Sequence, residues 1–325
     1  MHLNCYQQEG IKFVEIINDK DLKLVLCDLG ASIFQIYFHG EPMTRNVESV
    51  KDFKLPNCYY GKTIGRTANR LRGHVFEIDG KKYDFEYNEG ENTLHGGKSG
   101  FSNQYFEQDI KEKDDLIEVT YTYLSKHLES GYPGNVKFEV KYIIYKKEDR
   151  FDIKYNAISD QNTYFSLTNH AYFTLGDEDI SEHQFFVRGH QYLKVNLDDL
   201  LPIEPRPVDE VMDFSKFKKI TTNIESESLK GRKMAGYDNY FYFDKRDISL
   251  VNCSLKNNRY QLDVSTDFEG TQLYTSNYNP GFKLNTSAYN RDSSAIEPSD
   301  SFLKLPLLKK DEEYKREIRY IFKKL

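Results

Sequence analysis

An alternation of apolar and charged residues with a period of two is the feature that most constrains this fold. In residues 136–142, Val, Phe and Tyr alternate with Lys and Glu. The same alternation returns in residues 151–156, after the charged segment 146–150. Successive side chains of a strand point to opposite faces of a sheet. The pattern therefore predicts a β-hairpin with one buried and one wet face.

Further segments predict an all-β chain. The dipeptide Asp79-Gly80 suits a two-residue hairpin turn between residues 75–78 and the alternating aromatics of residues 83–87. Residues 201–207 hold three prolines and are predicted as an ordered or extended loop. Convincing helical patterns are few, so we expect a large antiparallel β-sandwich or barrel. The other strand candidates are residues 22–27, 33–38, 117–124, 240–243, 262–265 and 318–322.

Composition and charge exclude several classes of protein. The chain has 325 residues with 25 Tyr and 22 Phe, which is far more aromatic surface than a disordered chain carries. Lys and Arg total 45 against 51 Asp and Glu, and they are dispersed, so we expect no nucleic-acid partner. No apolar run approaches the ~20 residues of a membrane span. With no linker-like segment, we expect a single domain over residues 1–325.

Cysteine usage and the N-terminus indicate a cytoplasmic protein. Cys5, Cys27, Cys58 and Cys253 are widely scattered and form no CxxC pair. The first ten residues lack both the basic start and the apolar run of a signal peptide. We therefore expect reduced thiols and a cytoplasmic location.

Six segments combine Gly, Asn, His, Arg and Asp near predicted strand ends, where loops carry function. Taken alone, each polar residue has an ordinary structural interpretation. His95 beside two glycines fits an exposed imidazole in a tight turn, and His170 fits a core histidine. The six segments are GRTANR (65–70), NTLHGG (92–97), GYPG (131–134), TNHAYFTLGD (168–177), YDNYF (237–241) and QLYTSN (272–277).

The remaining candidates are equally ambiguous one at a time. Arg70 fits a surface ion pair, and Asp238 fits the start of a strand or a turn cap. Gln272 fits a water-facing position of an alternating strand. Glu297 precedes Pro298, which favours extended backbone, and alone it reads as a solvated loop carboxylate.

Signatures of metal and nucleotide sites are missing from the sequence. The eight histidines form no HExxH or other short ligand spacing. No Walker A loop, GxSxG elbow or GxGxxG motif occurs. We therefore expect neither a metal nor a cofactor.

In this order, the six segments resemble those of the aldose 1-epimerase (galactose mutarotase) family. The resemblance extends from about Gly30 to beyond Glu297, which is nearly the whole chain. It implies a large antiparallel β-sandwich of the mutarotase type with a sugar cleft, no metal and no cofactor. It also implies a small-molecule sugar as partner, and we expect a monomer or weak homodimer.

The resemblance assigns roles to residues. It implies Glu297 as the general base and His170 as the general acid. Interconverting the α and β anomers of free hexoses such as galactose or glucose requires one base at the O1 hydroxyl and one acid at the ring oxygen. We expect nearby carboxylates such as Asp238 to favour a charged imidazole. The substrate-binding residues implied by the resemblance are Asn69, Arg70, His95, Asp238 and Gln272.

Two alternatives remain open at this point. A hexose-6-phosphate 1-epimerase would need several cations converging on a phosphate, for which Arg66, Arg70 and Arg72 are candidates. A non-catalytic sugar-binding protein would be expected to lack the acid or the base, whereas both are present. One departure from the family pattern is that Pro298 and Ser299 directly follow the Glu. A third class, the carbohydrate lyases and hydrolases on a similar sandwich, is disfavoured because the sequence shows no evident second carboxylate partner at a known spacing.

Overall fold

The computed structural model describes residues 1–230, 236–277 and 291–325. The regular elements of the described residues are almost all strands, with one α-helical turn, α1 (Val50–Phe53), and short 3₁₀ turns. The 3₁₀ turns are Phe101–Asn103, Glu129–Gly131, Ile220–Asn223 and Glu227–Leu229. In chain order the strands are β1 (His2–Gln8), β2 (Ile11–Ile17), β3 (Leu22–Cys27), β4 (Ser32–Phe38), β5 (Glu41–Pro42), β6 (Thr44–Arg45), β7 (Thr63–Ile64), β8 (Arg70–Leu71), β9 (Val75–Ile78), β10 (Lys81–Asp84), β11 (Thr93–Leu94), β12 (Glu107–Glu112), β13 (Leu116–Ser125), β14 (Val136–Tyr145), β15 (Arg150–Ser159), β16 (Thr163–Tyr164), β17 (Thr168–Asn169), β18 (Tyr172–Phe173), β19 (Gln184–Val187), β20 (Gln191–Val195), β21 (Pro202–Pro207), β22 (Lys218–Lys219), β23 (Asp238–Tyr242), β24 (Cys253–Lys256), β25 (Tyr260–Thr266), β26 (Gly270–Tyr274), β27 (Ser294–Ser299), β28 (Leu307–Leu308) and β29 (Glu313–Lys324).

Three large antiparallel sheets build the sandwich. One layer is a nine-stranded sheet in the order β12-β13-β14-β15-β29-β25-β24-β19-β22. Facing it are a five-stranded sheet, β1 to β5 in order, and a seven-stranded sheet in the order β21-β20-β23-β26-β27-β18-β6. Inward side chains of all three sheets share one apolar cluster, which includes Leu24, Val140, Phe241 and Ile296. The predicted antiparallel β-sandwich is confirmed.

The predicted hairpins are present, although the strand after Asp79-Gly80 is Lys81–Asp84 and ends before Phe85 and Tyr87, which the prediction included. Strands β14 and β15 pair with Val140 opposite Tyr155, and both side chains are buried in the shared core. Strands β9 and β10 are joined by Asp79 and Gly80, which both have positive φ, at 53° and 74°. This is the geometry that a two-residue hairpin turn with the strands' own twist requires.

The proline-rich segment 201–207 departs from its prediction as a loop. Residues Pro202–Pro207 form strand β21, which pairs with β20 at the edge of the seven-stranded sheet. A central strand needs N–H groups directed to both of its neighbours, and proline has none to donate, so proline is tolerated at an edge. The prediction was right that the backbone is extended and wrong that it is unpaired.

Among the described residues, no helix is both long and apolar enough to cross a bilayer. All four cysteines lie in the described ranges as free thiols.

Candidate active site

The seven-stranded sheet supplies the floor of the site by the two-residue alternation of its strands. On β26 and β27, Leu273 and Ile296 point into the shared core. Their neighbours Gln272 and Glu297, which are directly paired across the two strands, therefore point to the opposite face. Asp238 begins β23, the next strand along. Three residues that lie far apart in sequence thus share one face of the sheet.

A small antiparallel pair supplies the facing wall. Strand β8 pairs with β11, with Arg70 opposite Leu94. The preceding Asn69 and the following His95 are joined by a backbone hydrogen bond in which the His95 amide donates to the Asn69 carbonyl at 3.2 Å. The first two sequence motifs are therefore brought together by strand pairing.

Backbone hydrogen bonds to residues 61 and 62 fix the position of His170. Its amide donates to the Lys62 carbonyl at 3.0 Å, and its carbonyl accepts from the Gly61 amide at 2.9 Å. The side-chain amide of Asn169 also donates to the Gly61 carbonyl, at 2.8 Å. These bonds fix the backbone on both sides of the imidazole.

His170 and Glu297 face each other in the buried interior of the cleft. The Nε2 of His170 lies 3.5 Å from Oε1 of Glu297, and the two residues are 4% and 2% exposed. The solvated-loop interpretation of Glu297 is wrong, because this carboxylate is buried on a strand. Among the described residues, Nδ1 of His170 and Oε2 of Glu297 have no hydrogen-bond partner.

The surroundings oppose the charged form of both groups. Burial, aided by the charge of Arg70, lowers the pKa of His170 to about 3. Burial and the charge of Asp238 raise the pKa of Glu297 well above its usual range. The expectation that nearby carboxylates favour a charged imidazole is therefore wrong for His170, because desolvation outweighs attraction.

One hydrogen bond from the backbone indicates which tautomer the uncharged His95 ring adopts. The backbone amide of Asn69 donates to Nδ1 of His95 at 3.3 Å, so Nε2 carries the ring proton and can donate. Burial lowers the pKa of His95 well below its usual range, and the neighbouring His170 and Arg70 add to this effect. The imidazole is 7% exposed, so the expectation of an exposed ring in a turn is wrong.

A network of charged and polar side chains connects the sheet floor with the facing wall of β8 and β11. Arg70 contacts Glu89 through Nε at 2.8 Å and Nη2 at 3.2 Å, and Nη1 lies 3.5 Å from Oδ2 of Asp238. The side-chain amide of Gln272 donates to the other Asp238 oxygen at 2.6 Å. The surface-pair interpretation of Arg70 and the water-facing one of Gln272 are both wrong, since each lies in this partly buried network.

The cleft has a volume of about 500 Å³ and an aromatic lining. The rings of Tyr59 and Tyr172 lie 5.9 Å and 5.0 Å from that of His170, and Tyr60 and Tyr274 also line the cleft. Because the chain has no Trp, any aromatic platform for a sugar must be Phe or Tyr. The sequence does not single out these four tyrosines among its 25, since only the fold distinguishes a lining ring from a core ring.

Arg66 has no part in the cleft. Its guanidinium is buried and donates to the carbonyls of Pro133 at 2.8 Å, Lys126 at 2.9 Å and Gly134 at 3.0 Å. It ties the GRTANR and GYPG segments together, so these two motifs are linked by a structural contact.

Among the described residues, no group of three His, Cys, Asp or Glu side chains is arranged to hold a metal ion.

The chain is similar to known proteins both in sequence and in fold. The chain matches the family model described as aldose 1-epimerase over residues 12–321. It is 28% identical to the aldose 1-epimerase of Haemophilus influenzae over 88% of this chain and 84% of that protein. It is also 28% identical to the bifunctional protein gal10 of Schizosaccharomyces pombe over 80% of this chain, a match that spans only 38% of gal10.

A solved structure shows the same fold. The crystal structure of galactose 1-epimerase from Lactobacillus acidophilus superimposes with a TM-score of 0.89, covering 99% of this chain and 98% of that one at 24% identity. Together with the family match across nearly the whole length, this establishes that the chain belongs to the aldose 1-epimerase family, the isomerases that interconvert the α and β anomers of aldoses.

Proposed function

We propose that the cleft opens and recloses the ring of a free hexose such as galactose or glucose, with Glu297 as base and His170 as acid. The observation that carries this proposal is the buried His170–Glu297 pair, 3.5 Å apart, on the polar floor of a sugar-sized cleft. Glu297 takes the proton of the O1 hydroxyl while His170 gives a proton to the ring oxygen, and the bond between C1 and the ring oxygen breaks. Rotation about C1–C2 and the reverse transfers then form the other anomer.

One proton on the pair suffices for the whole cycle. With the sugar ring closed, the productive arrangement is an ionised Glu297 beside a protonated His170. With the chain open, Glu297 carries the proton and His170 is neutral. Burial opposes both charged forms, so the open-chain arrangement is favoured within the pair. The reaction has no net oxidation, and an acid and a base complete it, so we propose that it needs neither a metal nor a cofactor.

The remaining site residues are proposed to bind sugar hydroxyls. Nε2–H of His95 and the guanidinium of Arg70 supply donors. Oε1 of Gln272 and Nδ2 of Asn69 are buried and have no hydrogen-bond partner among the described residues. Asp238 supplies a carboxylate acceptor. Buried polar atoms left without partners are rare, and a ligand's hydroxyls would satisfy them.

The charges of the cleft favour a free sugar over a hexose 6-phosphate. Among the described lining residues, Arg70 is the only Lys or Arg, whereas Glu89, Asp199, Asp238 and Glu297 are all carboxylic. Arg66 is occupied by backbone carbonyls elsewhere, and Arg72 lies 3.9 Å from Asp199 with its side chain 66% exposed. A phosphate dianion would meet repulsion here rather than a cluster of cations.

We base the proposed domain organisation, oligomeric state and location on the sequence. A single domain over residues 1–325, a monomer or weak homodimer, and a cytoplasmic location without nucleic-acid or membrane partners fit the even charge distribution and the free thiols.

Polarimetry of freshly dissolved α-galactose and α-glucose tests the proposal. The purified protein should accelerate the approach to anomeric equilibrium above the spontaneous rate, with glucose 6-phosphate a much poorer substrate. Acceleration of glucose 6-phosphate alone would point to the phosphate-specific alternative. Sugar binding without acceleration would support a non-catalytic protein.

A further inference from the structure

Arg70 is held between carboxylates that come from opposite walls of the cleft. Asp238 approaches from the sheet, where one of its oxygens is 3.5 Å from Arg70 and the other accepts from Gln272. Glu89 approaches from the loop between β10 and β11 and makes two shorter contacts, to Nε and Nη2. The two-point contact fixes the plane of the guanidinium, because parallel N–H groups meet parallel oxygens.

The loop that carries Glu89 is itself well anchored. The amide of Glu89 donates to the carbonyl of Asn92, and the amide of Asn92 donates back to the carbonyl of Glu89 at 3.0 Å. The side chain of Asn88 bonds to both the amide and the carbonyl of Leu94, at 2.7 Å and 2.9 Å. Leu94 is the residue paired with Arg70 across strands β8 and β11. Glu89 is therefore attached to the same short sheet as the side chain that it contacts.

We propose that Glu89 is a positioning residue that fixes the Arg70 guanidinium for contact with a sugar oxygen and keeps it from pairing fully with Asp238. This inference rests on the proposed function, because it assumes that Arg70 and Asp238 bind substrate. Without Glu89, the flexible Arg70 side chain would turn to its remaining carboxylate. Asp238 would then be drawn from Gln272, and two sugar-binding groups would be lost together.

Glu89 can affect the rest of the site through the charged and titratable groups that surround Arg70. Glu89 and Asp238 supply the opposite charges, and these raise the pKa of Arg70 against the effect of burial. Arg70 in turn acts on both catalytic groups, lowering the pKa of His170 and opposing the rise at Glu297. The charge of Arg70 also interacts electrostatically with three other titratable groups, Tyr59, Tyr274 and His95.

A double-mutant cycle tests the inference. Glu89→Ala, Arg70→Ala and the double variant are compared with the wild type for kcat and KM by polarimetry, and for sugar Kd by titration calorimetry. Glu89→Ala should lower kcat/KM by about tenfold or more, mostly through a higher KM. In the Arg70→Ala background the same change should have almost no effect. An equal loss in both backgrounds would show that Glu89 does not act through Arg70 and would overturn the inference.

Two controls separate positioning from damage to the fold. Glu91→Ala removes an exposed carboxylate from the same loop and should leave both KM and Kd unchanged. Glu89→Gln keeps one acceptor for Arg70 and should fall between Glu89→Ala and the wild type. A loss in Glu91→Ala as large as that in Glu89→Ala would attribute the effect to the loop in general, against the inference.

The readouts also separate failure of the inference from failure of the proposed function. A wild type that binds galactose or glucose without accelerating mutarotation refutes the function, while the Kd cycle still decides on Glu89. A wild type that neither binds nor converts these sugars refutes both.

Discussion

At the scale of single residues, desolvation governs the site more than proximity of charges does. Glu297 and His170 are 3.5 Å apart, yet each is buried so deeply that its uncharged form is favoured. Proton transfer between such a pair and a sugar needs little rearrangement of solvent, and the pair titrates as a unit.

Replacing the carboxylate tests its role as the base. Glu297→Gln should lower kcat by roughly 10²–10⁴-fold, because the amide cannot accept the O1 proton, while sugar Kd changes little. Polarimetry and calorimetry on the same preparation measure the two effects. Near wild-type kcat in this variant would remove Glu297 from the mechanism.

The two histidines should differ in how their loss divides between kcat and KM. His170→Asn removes the proposed acid and should lower kcat and kcat/KM together. His95→Asn removes a neutral donor to the sugar and should raise KM by a larger share of its total effect. Steady-state polarimetry of both variants decides, and the opposite division would exchange the two roles.

The pH profile should show a broad plateau. Activity needs a single proton on the pair, so the acid limb appears when His170 takes a second proton, with its pKa lowered to about 3. The alkaline limb appears when Glu297, with its raised pKa, loses the last one. The kcat/KM profile, corrected for spontaneous mutarotation, should therefore show no inflection near the ordinary histidine pKa of about 6.5. A clear inflection there would mean that the free site is more hydrated than its burial indicates.

At the scale of elements, the strand that carries Glu297 and the edge strand β21 illustrate how proline is accommodated. Pro298 lies in β27 beyond Ala295, the last residue at which β18 also pairs with this strand. Since β18 no longer pairs with β27 at Pro298, the missing N–H breaks no pairing with β18. Glu297 therefore stays on the cleft face. The prolines of β21 occupy an outer edge, where they also discourage pairing with another chain.

Gly61 joins the five-stranded sheet to the His170 segment and tolerates no side chain. Its φ is +64°, and a Cβ there would lie 1.8 Å from the carbonyl oxygen of Ile33. Gly61→Ala should therefore destabilise the fold by about 3 kcal/mol or more and lower activity by moving His170. Gly40→Ala is the matched control, with φ +78° and open space, and should cost only about 1 kcal/mol. Thermal unfolding compares them, and equal losses would show that strain in φ alone limits Gly61.

At the scale of the whole molecule, the burial of Glu297 makes the stability of the fold depend on pH. The folded-state pKa of Glu297 lies above its unfolded value of 4.5, so its stabilising contribution is complete below about 4.5 and is lost as pH rises through the folded pKa. Each pKa unit of that difference corresponds to about 1.4 kcal/mol. At alkaline pH, the fold therefore has to accommodate an ionised Glu297 in a buried position that disfavours its charge.

Glu297→Gln should therefore become more stable than the wild type as pH rises. The difference in Tm should be small near pH 5 and grow towards about pH 9, because only the wild type must ionise a buried group or keep it protonated. Calorimetric scans of both proteins at several pH values measure this. A difference in Tm that does not vary with pH would contradict the raised pKa.

The sequence by itself determined the layers, the hairpins and the family of this protein. Alternation along residues 136–142 and 151–156 requires one buried face, and that requirement is local to each strand. Only the tertiary structure decided the surroundings of each polar residue. Whether Glu297 is solvated or buried, and whether His95 is exposed, depends on strands and loops distant in sequence that cover them. Glu89 carries no sequence signal of its own, because an acidic loop residue becomes a partner of Arg70 only when strand pairing brings the two together.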